Sequence, residues 1–170
     1  AKEVIISSGS IERPLVFGNN DTPGVMLSSA AKEYLKIYGV LVGKKPLVFT
    51  NNDSGYETAI EFKKNGIDPI ILDTRKDPNS EIIQEAKDLN INIKTSYVVV
   101  AAKGYKKVNS ADIAKLSDDK KNVSNIENIK CDCICVSGFW TPTIHLASQS
   151  GNKTKFNEEI DAFIPSKSKQ

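Results

Sequence analysis

Apolar residues recur at helical spacing in three stretches of the chain and gather into short runs between them. From Ser28 to Tyr38, with Ser28 or Ser29 as cap, Ala31, Leu35 and Tyr38 fall on one helix face, and Gly39 and Gly43 follow as a stop. The run Pro46 to Thr50 predicts a strand, Ser54 to Lys64 a helix ended by Gly66, and Pro69 to Asp73 a second strand, which is the length of one βαβ unit. Ile82, Ile83, Ala86 and Leu89 share one side of a helix over Asn79 to Leu89, and a strand at Ile91 to Thr95 extends the parallel sheet by a second crossover. In "SYVVVAAKGYKKV" two strand-like runs flank Lys103-Gly104, which predicts an antiparallel hairpin packed on that sheet. Ser117 to Asn128 is polar and reads as a loop.

The two ends differ from the middle. "EVIISSG" and "CDCICVSG" are short apolar strands that run into Ser-Gly, and each precedes a proline-bearing loop, "SIERPLVFGNNDTPG" and "FWTP". They predict a pair of strand ends, Val4 to Ser7 and Cys131 to Val136, lying close together. The whole pattern gives an α/β fold: a Rossmann-like three-layer domain with a mostly parallel sheet, flanking helices and an antiparallel hairpin.

Composition excludes several classes. A chain of 170 residues, 39% of them hydrophobic, can bury one sizeable core, or one full domain plus pieces of a second. Its longest apolar stretch, Tyr97 to Ala102, is far short of the roughly 20 residues that span a bilayer, and the first residues lack the blocks of a secretion signal. A cytoplasmic location and no membrane partner are expected. The net charge is +2 and the lysines are dispersed, so the footprint of a nucleic-acid binder is missing. Cys131, Cys133 and Cys135 stand two apart, a spacing that puts all three thiols on one face of a strand. Buried apolar thiols of an intracellular protein are expected there, with a zinc or redox role as the alternative and no metal assigned.

Candidate chemistry concentrates in "VFTNNDSGYETA". A βαβ turn built for pyrophosphate uses G-x-G-x-x-G, so that the backbone can approach the phosphates and the helix N-terminus can donate to them. On that template the chain has Thr50, Asn51, Asn52, Asp53, Ser54 and Gly55. Only the third glycine, the one that lets helix and strand pack closely, is kept. Asn52 fills space that pyrophosphate needs and Asp53 adds negative charge, so poor phosphate binding is expected. Asp73, about twenty residues on, has the spacing of the acid that grips a ribose 2′-hydroxyl, or else it is a turn or cap residue. Arg75 behind it meets either a 2′-phosphate or solvent. Trp140 either lines a cofactor cleft or anchors the fold. His145, the single histidine, sits on a short predicted helix with no nucleophile placed to complete a triad. Arg13 pairs with Glu12 or meets an anionic group, and the basic tail "SKSKQ" is expected to be disordered.

The phrases "ERPLVF", "NNDTPGVM", "FTNNDS" and "SGFWTP" together resemble the alpha subunit of the heterotetrameric bacterial sarcosine oxidases, over nearly the whole chain. Related subunits of opine, proline and cyanide-forming amine oxidases share part of the pattern. The resemblance implies the architecture of pyridine-nucleotide-dependent flavoprotein reductases, in which a first dinucleotide-binding domain is interrupted by a smaller one of similar topology. Ser8-Gly9 and Ser137-Gly138 match the two crossings between them. Residues 1–27 are then a connecting strand and loop, 28–130 the inserted domain, and 131–170 the return strand and tail.

The resemblance further implies NAD in the full subunit, held chiefly by the first domain and not reacting, with FAD and FMN in the full complex and the beta subunit as chief partner. No cofactor is expected tightly bound to this chain alone. The candidate cofactor-binding residues are Ser8, Gly9, Asn52, Gly55, Asp73, Gly138 and Trp140, and none is assigned to catalysis. If the ends are crossing points, Val4, Ile5, Ile6, Ile134 and Val136 are expected to be under-packed or to bury themselves against a neighbouring molecule.

Overall fold

A computed structural model describes residues 4–166, which fall into two compact units, 14–138 and 4–13 with 139–166. In chain order the elements are β1 (Ser10–Glu12), β2 (Val25–Leu27), α1 (Ser28–Tyr38), β3 (Pro46–Thr50), α2 (Ser54–Lys64), β4 (Ile70–Asp73), α3 (Glu81–Asp88), β5 (Asn92–Thr95) and β6 (Tyr97–Lys103). They continue with β7 (Ser110–Leu116), β8 (Val123–Ile129), β9 (Cys133–Ser137), β10 (Trp140–Pro142), α4 (His145–Gln149), β11 (Thr154–Asn157) and β12 (Ala162–Pro165).

The larger unit is built on a parallel five-stranded sheet in the order β2-β9-β3-β4-β5. Its central strands are apolar on both faces because both are covered. On one side Val48, Ile71, Cys133 and Cys135 meet Ala31 and Leu35 of α1, Tyr56, Ala59, Ile60 and Phe62 of α2, and Ile83 and Ala86 of α3. On the other, Leu47, Phe49, Leu72, Ile134 and Val136 meet Val99, Ala102, Ala111 and Ile113 of the antiparallel sheet β6-β7-β8. The three layers are therefore helices, parallel sheet and antiparallel sheet. The backbone stops where the sequence said it would: Gly39 takes φ 62, and its N–H donates to Leu35 O at 3.0 Å while Val40 N–H donates to Tyr34 O.

Several expectations are corrected. Val4 to Ser7 forms no strand; Val4 and Ile5 are 76% and 91% exposed, and apolar residues with no neighbouring backbone have nothing to pair with. The strand at this end is instead β1, antiparallel to β10. Ile134 and Val136 are not under-packed, because β9 is inserted between β2 and β3 and both side chains are buried. The partner of β6 is Ser110–Leu116 rather than the run just after Gly104, and the polar stretch 117–128 holds β8 as well as a turn. Six of the seven residues of β8 are exposed, so it lacks the alternation by which a half-buried strand is read. β2 and the β11–β12 hairpin were likewise not foreseen.

Cys131 does not share the face of Cys133 and Cys135. It precedes the regular strand, where the Asp132 carboxylate accepts hydrogen bonds from the backbone N–H groups of Lys44 and Lys45 at 2.8 Å each, and its thiol packs in the opposite cluster. Apart from Ser166, the tail expected to be disordered lies outside the described residues.

Candidate nucleotide site at the strand ends

The parallel register sets Ser137 of β9, Thr50 of β3 and Asp73 of β4 side by side at the carboxyl edge of the sheet, all three fully buried. In an open α/β sheet this edge is where ligands bind, at the point where connections leave in opposite directions. Residues far apart in the chain meet there.

The turn from β3 into α2 is closed by its own side chains. Thr50 Oγ1 donates to Asn52 O at 2.9 Å and accepts from Asn52 N–H at 3.1 Å. The Asn52 amide nitrogen donates to Ser137 O at 3.2 Å, Gly138 O at 3.1 Å and Asn51 Oδ1 at 3.1 Å. Its amide oxygen accepts from Ser54 N–H at 2.9 Å and from Ser54 Oγ at 2.5 Å. Ser54 Oγ also lies 2.8 Å from Ser137 Oγ. Gly55 allows this closeness: a Cβ there would stand 2.6 Å from Thr50 Cβ and 2.7 Å from Thr50 Oγ1. The glycine kept from the template is the one needed for packing helix on strand.

Asp73 is equally engaged. Its carboxylate accepts from Tyr56 Oη at 2.8 Å, from Arg75 N–H at 2.8 Å, and from Arg75 Nε and Nη2 at 3.1 and 2.8 Å. The other arm of the guanidinium, Nη1, lies 2.8 Å from Asp53 Oδ1. Burial, then the charge and hydrogen bond of Asp73, raise the Tyr56 phenol far above its ordinary range. Burial opposes the Arg75 charge, but the hydrogen bonds to Asp73 and Asp53 outweigh it and the guanidinium is held well above its usual value. Two carboxylates and one guanidinium leave the cluster with a net charge of −1. Space, donors and charge at this edge thus do not fit a pyrophosphate, and Asp73 offers no surface to a ribose.

Of the seven sequence candidates, Asn52, Gly55, Asp73 and Gly138 come together in the larger unit. Ser8, Gly9 and Trp140 belong to the smaller one, where Ser8 Oγ donates to Thr143 O at 2.6 Å, Gly9 O accepts from Thr143 N–H at 2.9 Å, and Trp140 pairs with Glu12 across β1 and β10. Arg13 meets an anionic group, the Asp161 carboxylate at 3.8 Å; its guanidinium also donates to the backbone oxygens of Ile160 and Asp161 and lies 5.9 Å from the Phe139 ring centroid. His145 opens α4 and is exposed. Sequence reading missed Tyr56, Ser54 and Ser137 as members of the cluster. The position of Tyr56 one residue after the retained glycine, on the buried side of α2, was the available signal.

No family model matches the chain. It is 33% identical over 167 residues to the sarcosine oxidase alpha subunit of Corynebacterium sp. (strain U-96), covering 97% of this chain and 17% of that protein. The alpha subunit from Rhizobium meliloti (strain 1021) is 34% identical over 165 residues, covering 96% of this chain and 16% of that protein. Among solved structures, thioredoxin reductase from T. acidophilum superposes with a TM-score of 0.67 at 17% identity, over 86% of this chain and 47% of that one, a likeness of fold. The chain spans about one sixth of the length of the curated relatives it matches. By sequence the chain is similar to one segment of the sarcosine oxidase alpha subunits, and its fold is like that of the thioredoxin reductases on which it superposes.

Proposed function

We propose that this chain is the inserted Rossmann-like domain of an amine-oxidising subunit of the sarcosine oxidase alpha type, and that it contributes scaffold surface rather than chemistry. The observation that carries the reading is the strand-end row: Asn52 Oδ1 takes the Ser54 N–H at the start of α2 and Arg75 saturates Asp73, in the two places where a dinucleotide-binding turn receives phosphate and ribose. The whole protein would oxidise the N-methyl amine of sarcosine through flavin, passing electrons to oxygen and yielding glycine, hydrogen peroxide and a one-carbon unit. NAD would sit chiefly in a neighbouring dinucleotide-binding domain, and FAD and FMN elsewhere in a complex whose chief further member is a beta subunit. Three reduced, buried thiols accord with a cytoplasmic setting.

The second reading, an active NADH-binding domain of a flavoprotein reductase, is favoured by the fold alone. The filled turn argues against it. Purified chain incubated with sarcosine should be colourless and give no peroxide. A yellow preparation with oxidase activity would place the chemistry in this segment and overturn the scaffold role.

A further inference from the structure

The geometry points to a dinucleotide site that is self-occupied: Asn52 stands in for the phosphate and Arg75 for the ribose, and these two side chains, with Asp53, are what exclude an NAD-type ligand from the carboxyl edge of the sheet. The inference rests on the scaffold reading above and assigns the exclusion to particular residues.

The two halves of this edge are closed by different side chains, linked through the Arg75–Asp53 pair. At the phosphate end, Asn52 Oδ1 takes the N–H of Ser54 in the first turn of the eleven-residue α2, the kind of donor a phosphate oxygen would use. The amide is fixed from behind by its hydrogen bonds to Ser137 O and Gly138 O, both of which it would forfeit by swinging aside. At the ribose end, Arg75 covers Asp73 with its backbone N–H and two guanidinium nitrogens, and its third nitrogen holds Asp53 next to the turn. The scaffold beneath retains its geometry: Gly55 still permits the helix to pack on Thr50, and the register still brings Asp73 level with Thr50.

Removing the three side chains should therefore restore binding, and the ligand class follows from the acid that remains. A carboxylate at the end of β4 accepts ribose hydroxyls and repels a 2′-phosphate. The reopened edge is expected to take NAD and to refuse NADP.

The experiment is a calorimetric titration of NAD and of NADP into the unsubstituted chain and into a variant carrying Asn52→Gly, Asp53→Ala and Arg75→Ala, with folding checked by circular dichroism. The expected result is little or no binding to the unsubstituted chain and at least about a ten-fold gain for NAD, but not for NADP, in the variant. A folded variant with no gain, or with equal gain for both nucleotides, would overturn the assignment while leaving the scaffold reading in place. Tight NAD binding to the unsubstituted chain would overturn both. Where the triple variant does not fold, Arg75→Gln titrated with adenosine decides the ribose half: the Arg75 side chain is 32% exposed, so truncation leaves the core packed. Adenosine binding should appear there, and its absence would refute the idea.

Discussion

Gly55 and Thr50 illustrate how narrowly single residues shape the strand-end row. An alanine at 55 would gain up to about 1 kcal/mol of helix propensity, but its Cβ would overlap Thr50 Cβ, a rigid β-branched group on a central strand, at 2.6 Å. Overpacking of that kind costs about 1–3 kcal/mol. Gly55→Ala is therefore expected to lower stability, which chemical denaturation will measure, and an unchanged or raised midpoint would show that α2 can shift away. Cys131 gives a pH signature. Burial first, then Cys133 and Asp132 nearby, push its thiol from 9.0 up to about 12. Across that window the unfolded chain has lost the proton and the folded chain has kept it, so stability is full below about pH 9 and falls as pH rises toward 12. Tyr56 acts in the same direction above its ordinary value of 10.0. The denaturation midpoint should drop steadily above pH 9, and less steeply in Cys131→Ala. At this scale the sequence made the misfit of Asn52 and Asp53 legible, since one puts a side chain where a glycine is missing and the other adds a negative charge beside it. It could not disclose the pairing of Arg75 with Asp73 and Asp53, or the bonds to Ser137 and Gly138, because those depend on register.

Elements with a marked period were the legible ones. α1, β3, α2 and β4 stand where spacing put them, because their apolar faces match the layers they cover. β8 escaped notice because its ladder with β7, not burial, holds it, helped by the Lys94–Glu127 pair at 2.7 Å. Amide hydrogen exchange should reflect this contrast, with β3 and β9 slowest and β8 much faster; equal protection would mean that β8 is covered in solution. The turn into β3 depends on Asp132, whose carboxylate holds the N–H groups of Lys44 and Lys45. Losing both bonds in Asp132→Ala should cost about 1–3 kcal/mol, measurable by thermal unfolding. Val4 and Ile5 show the opposite error to β8. Their composition favours a strand, but β structure needs a partner backbone, and composition does not say whether one is present.

For the molecule as a whole, likeness of sequence identifies the relatives and likeness of fold identifies the architecture, while the strand-end row bears on what this segment contributes. The account holds that a nucleotide-binding shape persists here with its site filled from within. Calorimetric titration of the unsubstituted chain with NAD tests that most directly. The predicted dissociation constant is about 1 mM or weaker, equivalent to about 4 kcal/mol or less of binding free energy. Micromolar binding that disappears in Asp73→Ala would contradict the account, since the buried carboxylate would then be gripping a ribose rather than Arg75.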